Sequence, residues 1–512
     1  MPLTFISVHK GAYYKKVQSI LEVIDMLTKG AIGNLINRYK AVLKKCHLLN
    51  TFGSLAAASM LIMGGAGVSM GQDYTLTSDS NQPITVNMGE NSIIDLNGFS
   101  LNSATVPTVQ VYGSATIDSS QDNGSILSND MAVQMSPAGM FGTANLTVNG
   151  GIIKAENSDP YVAATGIGMF PGMGKTNLTV NGGTISGSAY GIVGNGANND
   201  NTTVTINDGY IESTAGTAIY QPQKGTMTIH GGRIVGAGTG IEVRSGDVNI
   251  TNGYIAGMND ILDTRDYNNG PTVYGAAIAV SQHTTQHDIN INISGGTFDG
   301  IYAIYEADHT DGKLNSNDGY KDNVNISITD GTFNGSIYSQ HCDDFITGGT
   351  FSHPTALDYL GKNANVAINL TEDYDRKNDI NQSGFTIGAT QNVTMDLGEY
   401  RFSAPSLAVD KGGALLVNLP DGGGVAPESD KAFLALGRSL DLNDIGKLRV
   451  GTVSSSSAAA AFGADSTLVV DGKAASDQAM ITGSGELSVA DGAQLYIANA
   501  EANTDYISSR KG

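Results

Sequence analysis

The chain has 512 residues, 66 glycines, no tryptophan and a formal net charge of −21 at pH 7. Residues 1–71 carry eight basic and two acidic residues, so the rest carries 20 basic and 47 acidic residues, a net charge of −27. A surface this acidic repels nucleic acid and anionic lipid, and we expect neither as a partner. Only Cys46 and Cys342 are present, so the sequence predicts neither a disulfide framework nor a zinc site.

Residues 1–71 have the pattern of an extended leader that ends in a secretory signal peptide. A basic cluster at residues 38–45 precedes the apolar stretch Phe52–Met63, which is followed by small residues up to Gly71. The apolar stretch is shorter than the ~20 residues that a membrane-spanning helix needs. We therefore expect a helical signal segment cleaved after Gly71, rather than a retained anchor. Met1 and Met26 are both compatible with the start of this leader.

Residues 73–135 contain short segments in which apolar and polar residues alternate, the period of a strand with one buried face. We expect them to form the first coils of a stack. The predicted strands are Ile84–Val86, Ile93–Leu96, Val109–Val111 and Ala115–Ile117.

One phrase then returns with its order kept from about Asn145 to Phe351, and residues 178–185 (Leu-Thr-Val-Asn-Gly-Gly-Thr-Ile) are typical of it. Its glycine centres are Gly151, Gly183, Gly209, Gly232, Gly253, Gly296, Gly331 and Gly349. Two residues later an apolar side chain follows, at Ile153, Ile185, Ile211, Ile234, Ile255, Phe298, Phe333 and Phe351. A third apolar element follows at Ile192, Ile219, Ile241, Ile278, Ile304 and Ile337.

This repeat predicts an all-β fold, a parallel β-helix with three strands per coil. Three short strands and three turns fit the most regular spacing, and stacked units can bury a face that one unit cannot. The glycines would supply the positive φ of a sharp corner. A β-sandwich would explain the short strands but not a fixed residue at a fixed place in each unit. We also expect an asparagine ladder at the corner, formed by Asn149, Asn181, Asn207 and Asn252.

Three insertions interrupt the repeat, and insertions in solenoids often carry binding surfaces. Passive decoration is an equally good interpretation of them. They are residues Glu156–Lys175, Met258–Gly270 and Glu306–Asp322.

The glycine phrase fades after about Ala356, although strands continue at residues 366–368, 385–387 and 393–397. Residues 420–430 indicate a linker or exposed loop, and we expect a further loop at the serine and alanine run 454–461. The apolar segments 464–470 and 490–497 echo each other. The predicted organisation is a leader at 1–71, a β-helix at 72–419 and a looser β-helical continuation at 420–512.

Reactive side chains cluster most densely at His341-Cys342-Asp343-Asp344. Paired carboxylates can act as acid and base on a sugar, and the whole set could bind a metal. Adjacent residues of a strand point to opposite faces, however, so a solvated corner is the preferred interpretation.

The other motifs are weaker. His283 and His287 have the spacing of a helical zinc site but precede a strand, which favours an exposed loop. Residues Asn315–Gly319 suggest a calcium loop but fail its ligand pattern. The Gly-x-Ser-x-Gly motif of residues 67–71 lies in the predicted signal peptide and has no strand-to-helix context. The absence of tryptophan argues mildly against a strong sugar-stacking cleft, although the 21 tyrosines could substitute for it.

The leader, the repeated phrase and residues 483–495 together resemble autotransporter passengers, the secreted β-helical regions of Gram-negative outer-membrane proteins. This resemblance covers about residues 30–512. The phrases Asp95–Gly98 and Gly348–Ser352 resemble surface proteins of gut bacteria with pectate-lyase-like folds. The resemblance implies a right-handed β-helix and an outer-membrane translocator barrel as partner. We find no C-terminal segment with the strand pattern of that barrel, so a truncated reading frame and a passenger alone both stay open.

The predicted function is that of an exported, cell-surface adhesin or structural passenger without catalysis, with surface glycans or proteins as partners. The alternative is a polysaccharide lyase or glycoside hydrolase. Lyases of the resembled fold need a basic residue beside acidic calcium ligands, and neither Arg233 nor Arg244 has an acidic trio at matched repeat positions. We therefore assign no catalytic, cofactor-binding or metal-binding residue, although calcium remains compatible with another acidic corner.

Overall fold

The computed structural model describes the chain from residue 69 onward with gaps. The described ranges are residues 69–137, 142–159, 162–196, 202–264, 270–282, 287–308 and 323–396, and beyond residue 400 mainly the strands. Residues 1–68 of the predicted leader, the calcium-like phrase 315–319 and the predicted linker 420–430 lie outside them. None of the helices in these ranges is long and apolar enough to cross a membrane.

Short strands make up nearly all of the regular structure in the described ranges. The first part contains β1 Ser69–Met70, β2 Tyr74–Thr75, β3 Ile84–Val86, β4 Glu90–Asp95, β5 Ser100–Asn102, β6 Val109–Val111, β7 Ser114–Asp118, β8 Ser125–Ser128, β9 Met131–Met135, β10 Thr143–Val148, β11 Ile152–Ala155, β12 Thr165–Met169, β13 Lys175–Val180, β14 Thr184–Gly187, β15 Tyr190–Val193, β16 Thr202–Ile206, β17 Tyr210–Ser213 and β18 Thr217–Gln221. The middle contains β19 Gly225–Ile229, β20 Arg233–Gly236, β21 Thr239–Val243, β22 Gly246–Ile250, β23 Tyr254–Gly257, β24 Asp263–Thr264, β25 Val273–Tyr274, β26 Ala276–Val280, β27 Ile289–Glu306, β28 Val324–Ser339, β29 Ile346–Phe351 and β30 Leu360–Asn369.

The last part has two short 3-10 helices, η1 Pro354–Tyr359 and η2 Arg376–Asn378. Its strands are β31 Tyr374–Asp375, β32 Phe385–Ile387, β33 Asn392–Asp396, β34 Phe402–Ser403, β35 Leu407–Val409, β36 Ala414–Val417, β37 Ala432–Leu436, β38 Leu440–Asp441, β39 Leu448–Val450, β40 Ala460–Phe462, β41 Ser466–Asp471, β42 Ile481–Gly483, β43 Leu487–Val489, β44 Gln494–Ala498 and β45 Ile507–Ser509.

From β3 to β20 each strand pairs in parallel with the strand three further along the chain, and the longer strands β27 and β28 continue the same three sheets. The first sheet contains β4, β7, β10, β13, β16, β19, β22 and the first parts of β27 and β28. The second contains β5, β8, β11, β14, β17, β20, β23, the middle of β27 and β28, and the end of β29. The third contains β3, β6, β9, β12, β15, β18, β21, β26 and the last parts of β27 and β28. The chain is a parallel β-helix with three strands per coil, as predicted.

The predicted interior stack runs unbroken along the second sheet. Ile153 pairs with Ile185, and every later member pairs with the next one in register as far as Phe351. All eight side chains are fully buried. The rings of Phe298 and Phe333 lie 4.7 Å apart, and those of Phe333 and Phe351 lie 4.8 Å apart, both nearly parallel. The third apolar element stacks in the same way in the third sheet.

The corner between the first and second sheets needs glycine for two reasons. All eight predicted glycine centres have positive φ, with Gly183 at 81°. A β-carbon at Gly183 would lie only 2.7 Å from the carbonyl oxygen of Gly151 in the coil before it. The corner therefore requires both the left-handed backbone and the missing side chain.

The asparagine ladder exists over three coils. Asn181 Nδ2 donates to Asn149 Oδ1 at 2.9 Å, and Asn207 Nδ2 donates to Asn181 Oδ1 at 2.8 Å. The inclusion of Asn252 was wrong. Thr251, two residues before Gly253, takes that position and contacts Nδ1 of His230 at 3.1 Å. A hydroxyl or an imidazole meets the same requirement for a polar group at this corner.

Two of the predicted loops contain regular strands. Within the first insertion, Thr165–Met169 forms β12 of the third sheet. Ala460 and Ala461 lie in β40, not in a loop. The two segments that echo each other pair directly, with Leu468 opposite Leu495.

Candidate functional site

The outer face of the third sheet carries a row of tyrosines near the last regular coils. Ile304 and Ile337 point into the core, so strand alternation turns Tyr305 and Tyr338 outward. Their ring centroids are 5.3 Å apart, and the ring of Tyr302 meets that of Tyr305 edge-on at 5.1 Å. In the preceding coil, the residues paired with Tyr302 and Tyr305 are the small Ala276 and Ala279. The aromatic surface therefore begins at the coil that contains Tyr302 and Tyr305.

Helices η1 and η2 border this aromatic row and form a surface cleft with it. We call this the tyrosine cleft. Its main lining residues are Tyr302, Tyr338, Asp358, Arg376, Asp379 and Ile380.

Arg376 holds the floor of the tyrosine cleft together. Its side chain is fully buried, with Nη2 2.6 Å from Asp358 Oδ1 and Nη1 3.3 Å from Asp379 Oδ2. The remaining nitrogen, Nε, donates to the carbonyl of Ser383 at 3.0 Å, and the guanidinium lies 4.0 Å from the centroid of the Phe385 ring. A buried guanidinium needs this compensation, because an unpaired buried charge is costly.

The pKa shifts reflect the same burial. Burial raises the pKa of the Asp358 carboxyl, and its hydrogen bond and charge interaction with Arg376 partly offset this rise. Burial also raises the pKa of Tyr302, with further contributions from the nearby charges of Asp379 and Tyr338. The Tyr302 phenol is therefore protonated at neutral pH and able to donate a hydrogen bond, since the ordinary pKa of tyrosine is already about 10.

Two carboxylates and one guanidinium leave the tyrosine cleft with a residual negative charge. The side chains of Asp358 and Asp379 are 15% and 14% exposed, so each still reaches the cleft. The exposed methyl groups of Ile380 and the tyrosine rings add apolar surface. The cleft encloses only about 20 Å³, room for roughly one water molecule, so a ligand would contact it as a surface rather than fill it.

A second polar cluster lies around the buried carboxylate of Glu306, at the end of β27. Its Oε2 accepts the backbone N–H groups of Gln340 and His341, both at 2.9 Å, and the Ser339 hydroxyl at 2.7 Å. His341 Nδ1 lies 2.9 Å from Glu306 Oε1, and its Nε2 lies 3.5 Å from Asp308 Oδ1. The carboxylate thereby fixes the turn that follows β28.

The four neighbours His341-Cys342-Asp343-Asp344 do not act as one group. Asp343 and Asp344 are exposed at a bend, as the corner interpretation predicted, and Asp344 has a φ of 55°. Cys342 is buried, and burial raises the pKa of its thiol to about 11. His341 alone turns toward Glu306, a partner that sequence reasoning did not find because it lies 35 residues away.

The two arginines of the lyase alternative lie apart, Arg233 at the start of β20 and Arg244 directly after β21. Arg233 is exposed and stacks 4.1 Å from the centroid of the Tyr254 ring. Arg244 is buried beneath the second insertion, where Nη1 donates to the carbonyl of Gly270 at 2.9 Å. Beside it, the buried carboxylate of Glu242 accepts the backbone N–H of Thr272, and burial raises the pKa of this carboxyl.

The remaining sequence candidates carry no site within the described ranges. His287 lies outside the strands, and its carbonyl accepts a hydrogen bond from Gln282, whereas His283 is not described. Ser69 of the Gly-x-Ser-x-Gly motif lies in β1, which pairs with β4. Among the described residues, no group of three or more histidine, cysteine, aspartate or glutamate residues could hold a metal ion.

Comparison with known proteins adds no further constraint on this site. No family model, curated protein or solved structure matches the chain.

Proposed function

We propose that this protein is an exported, cell-surface-associated β-helical binding protein of the adhesin or passenger type, without catalysis. The observation that supports this most is the tyrosine cleft. Its one buried cation and its two carboxylates are tied to each other, so they are held in place rather than poised to exchange protons with a substrate. The tyrosines and the outer carboxylate oxygens remain available for contact.

The β-helical architecture is also suited to presenting an extended binding surface. Strands repeat in register from coil to coil, and this register continues across all three insertions. A solenoid of this kind offers an extended face whose length grows by about 4.8 Å per coil. The strongly acidic composition keeps such a surface soluble.

The alternative is a polysaccharide lyase or glycoside hydrolase, and one observation favours it. His341 lies between Glu306 and Asp308 and is 16% exposed. An imidazole between two carboxylates is suited to general acid and base work. If catalysis occurs, we expect it at this cluster.

A screen of the full-length chain distinguishes the two proposals. The purified protein is incubated with acidic and neutral polysaccharides, with and without calcium, and both retention and the release of unsaturated or reducing sugar ends are measured. The same preparation is tested for binding to surface proteins. The binding proposal predicts retention of at least one glycan or protein without release. Catalytic release that is lost in His341→Ala would contradict it and support the alternative.

A further inference from the structure

Residues 69–76 close the N-terminal end of the β-helix. Strand β1 pairs in parallel with β4, with Met70 opposite Asn91, and β2 pairs with later residues of β4. Strand β7 covers the other edge of β4. Both edges of β4 are therefore occupied, which protects a sheet edge that would otherwise be open to association with another chain.

Gly71, the residue after β1, is fitted into this end of the molecule. Its backbone N–H donates to the carbonyl of Asn91 at 3.0 Å. A β-carbon at Gly71 would meet Ser92 Oγ and lie 2.6 Å from the Asn91 carbonyl oxygen, and Ser92 is 1% exposed. The folded protein therefore has a packing reason for glycine at this position, because the space beside it is already filled.

The chain is anchored on the other side of Gly71 as well. Asp73 Oδ1 accepts the backbone N–H of Ile93 at 2.9 Å. The side chains of Tyr74 and Leu76 pack against the core. The peptide bond that follows Gly71 thus lies inside one folded element, with contacts to the first coil on both sides of it.

Cleavage after Gly71, the site that the leader pattern first suggests, would damage this element. It would remove β1 and the hydrogen bond of Gly71, and it would uncover the first residues of β4. The sequence contains an earlier small-x-small pair, Gly64 and Ala66, directly after the apolar stretch. Gly67 and Ser69 have the same spacing, but a cut after Ser69 would divide β1.

We propose that the exported chain is cleaved between Ala66 and Gly67, so that β1 and Gly71 stay in the mature protein. A signal peptidase of the exporting cell hydrolyses this peptide bond. The C–N bond breaks, and water supplies a hydroxyl to the Ala66 carbonyl carbon and a hydrogen to the Gly67 nitrogen. The pair Gly65 and Gly67 would also spare β1, but it lacks the alanine that is typical before the cut. The inference rests on the proposed function, because removal of a leader presupposes export.

The test is the identity of the first residue of the exported protein. The full reading frame is expressed in a Gram-negative host, and the protein recovered outside the cytoplasm is measured by intact-mass spectrometry. Two matched variants each place one arginine where a cleavage site requires a small residue. Ala66→Arg alters the residue before the proposed cut, and Ser69→Arg alters the corresponding small residue two positions before Gly71.

We expect the unsubstituted chain and Ser69→Arg to begin at Gly67, and Ala66→Arg to lose this product. Any other first residue of the unsubstituted chain, Gln72 above all, would overturn the inference. Loss of processing in Ser69→Arg but not in Ala66→Arg would do the same. Export of the uncleaved chain would also overturn it but would leave the proposed function standing. Retention of the chain in the cytoplasm would contradict the export on which the proposed function depends, and the inference with it.

Discussion

At the scale of single residues, the fold depends on a large apolar side chain at each interior position and on the absence of a side chain at each corner. The interior position of each coil changes from isoleucine to phenylalanine between Ile255 and Phe298 and keeps its register. The corner glycines show the opposite limit, since their neighbours along the axis are backbone atoms that cannot move aside. The bulky interior residue and the corner glycine both recur in each repeat of the sequence. Both positions could therefore be predicted from the sequence.

A pair of glycine substitutions separates backbone strain from crowding. Gly183 and Gly89 have nearly the same φ, 81° and 80°, but no atom lies within 4 Å of a β-carbon built at Gly89. Gly89→Ala should cost roughly 1–2 kcal/mol of unfolding free energy from strain alone. Gly183→Ala should cost about 1–3 kcal/mol more, because its β-carbon meets the backbone of the preceding coil. Urea denaturation of both variants measures the difference, and equal losses would show that the coils are not this closely stacked.

At the scale of elements, the stacked strands could be predicted from the sequence, but parts that do not repeat could not. Strand β12 was not predicted, because glycines such as its Gly166 and Gly168 are more typical of loops than of strands. Gly166 is glycine for a packing reason, since a β-carbon there would lie 2.7 Å from the carbonyl oxygen of Gly191. The tyrosine cleft was missed because Asp358 and Arg376 are 18 residues apart and meet only through the path of the chain around β30.

The stability of the protein should decrease at alkaline pH because of tyrosines on or beside the outer face of the third sheet. Burial raises the pKa of both Tyr305 and Tyr359 to about 12, with smaller contributions from nearby negative charges. An unfolded tyrosine titrates near pH 10, so between pH 10 and 12 the folded state holds more protons than the unfolded state. The contribution of these residues to stability is thus complete below pH 10 and is lost as the pH rises toward 12.

Urea denaturation between pH 8.5 and 11.5 measures this loss. We expect Tyr305→Phe to flatten the alkaline decline relative to the unsubstituted chain, with Tyr112→Phe, on the first coils, as the matched control. An equal slope in all three proteins would contradict the burial of these phenols on this face.

At the scale of the whole molecule, one geometric rule connects the core, the corners and the candidate site. Each coil is in register with the one before it, so the asparagine ladder at the corner and the buried phenylalanine stack in the second sheet both extend along the axis. The aromatic row beside the tyrosine cleft depends on the same register, because Tyr305 and Tyr338 are directly paired residues of β27 and β28. The register between neighbouring coils is therefore the central claim.

An engineered disulfide tests that register most directly. Thr179 and Thr205 are opposite each other on the outward side of β13 and β16, where neighbouring parallel strands lie about 4.8 Å apart, within the range that a disulfide requires. The measurement is the disulfide yield after mild oxidation, determined by peptide mass spectrometry, for Thr179→Cys with Thr205→Cys and for Thr179→Cys with Thr203→Cys. We predict near-complete bridging for the first pair and little for the second, because Thr203 is opposite Asn177. Preferential bridging of the second pair, or of neither, would contradict the stacked β-helix.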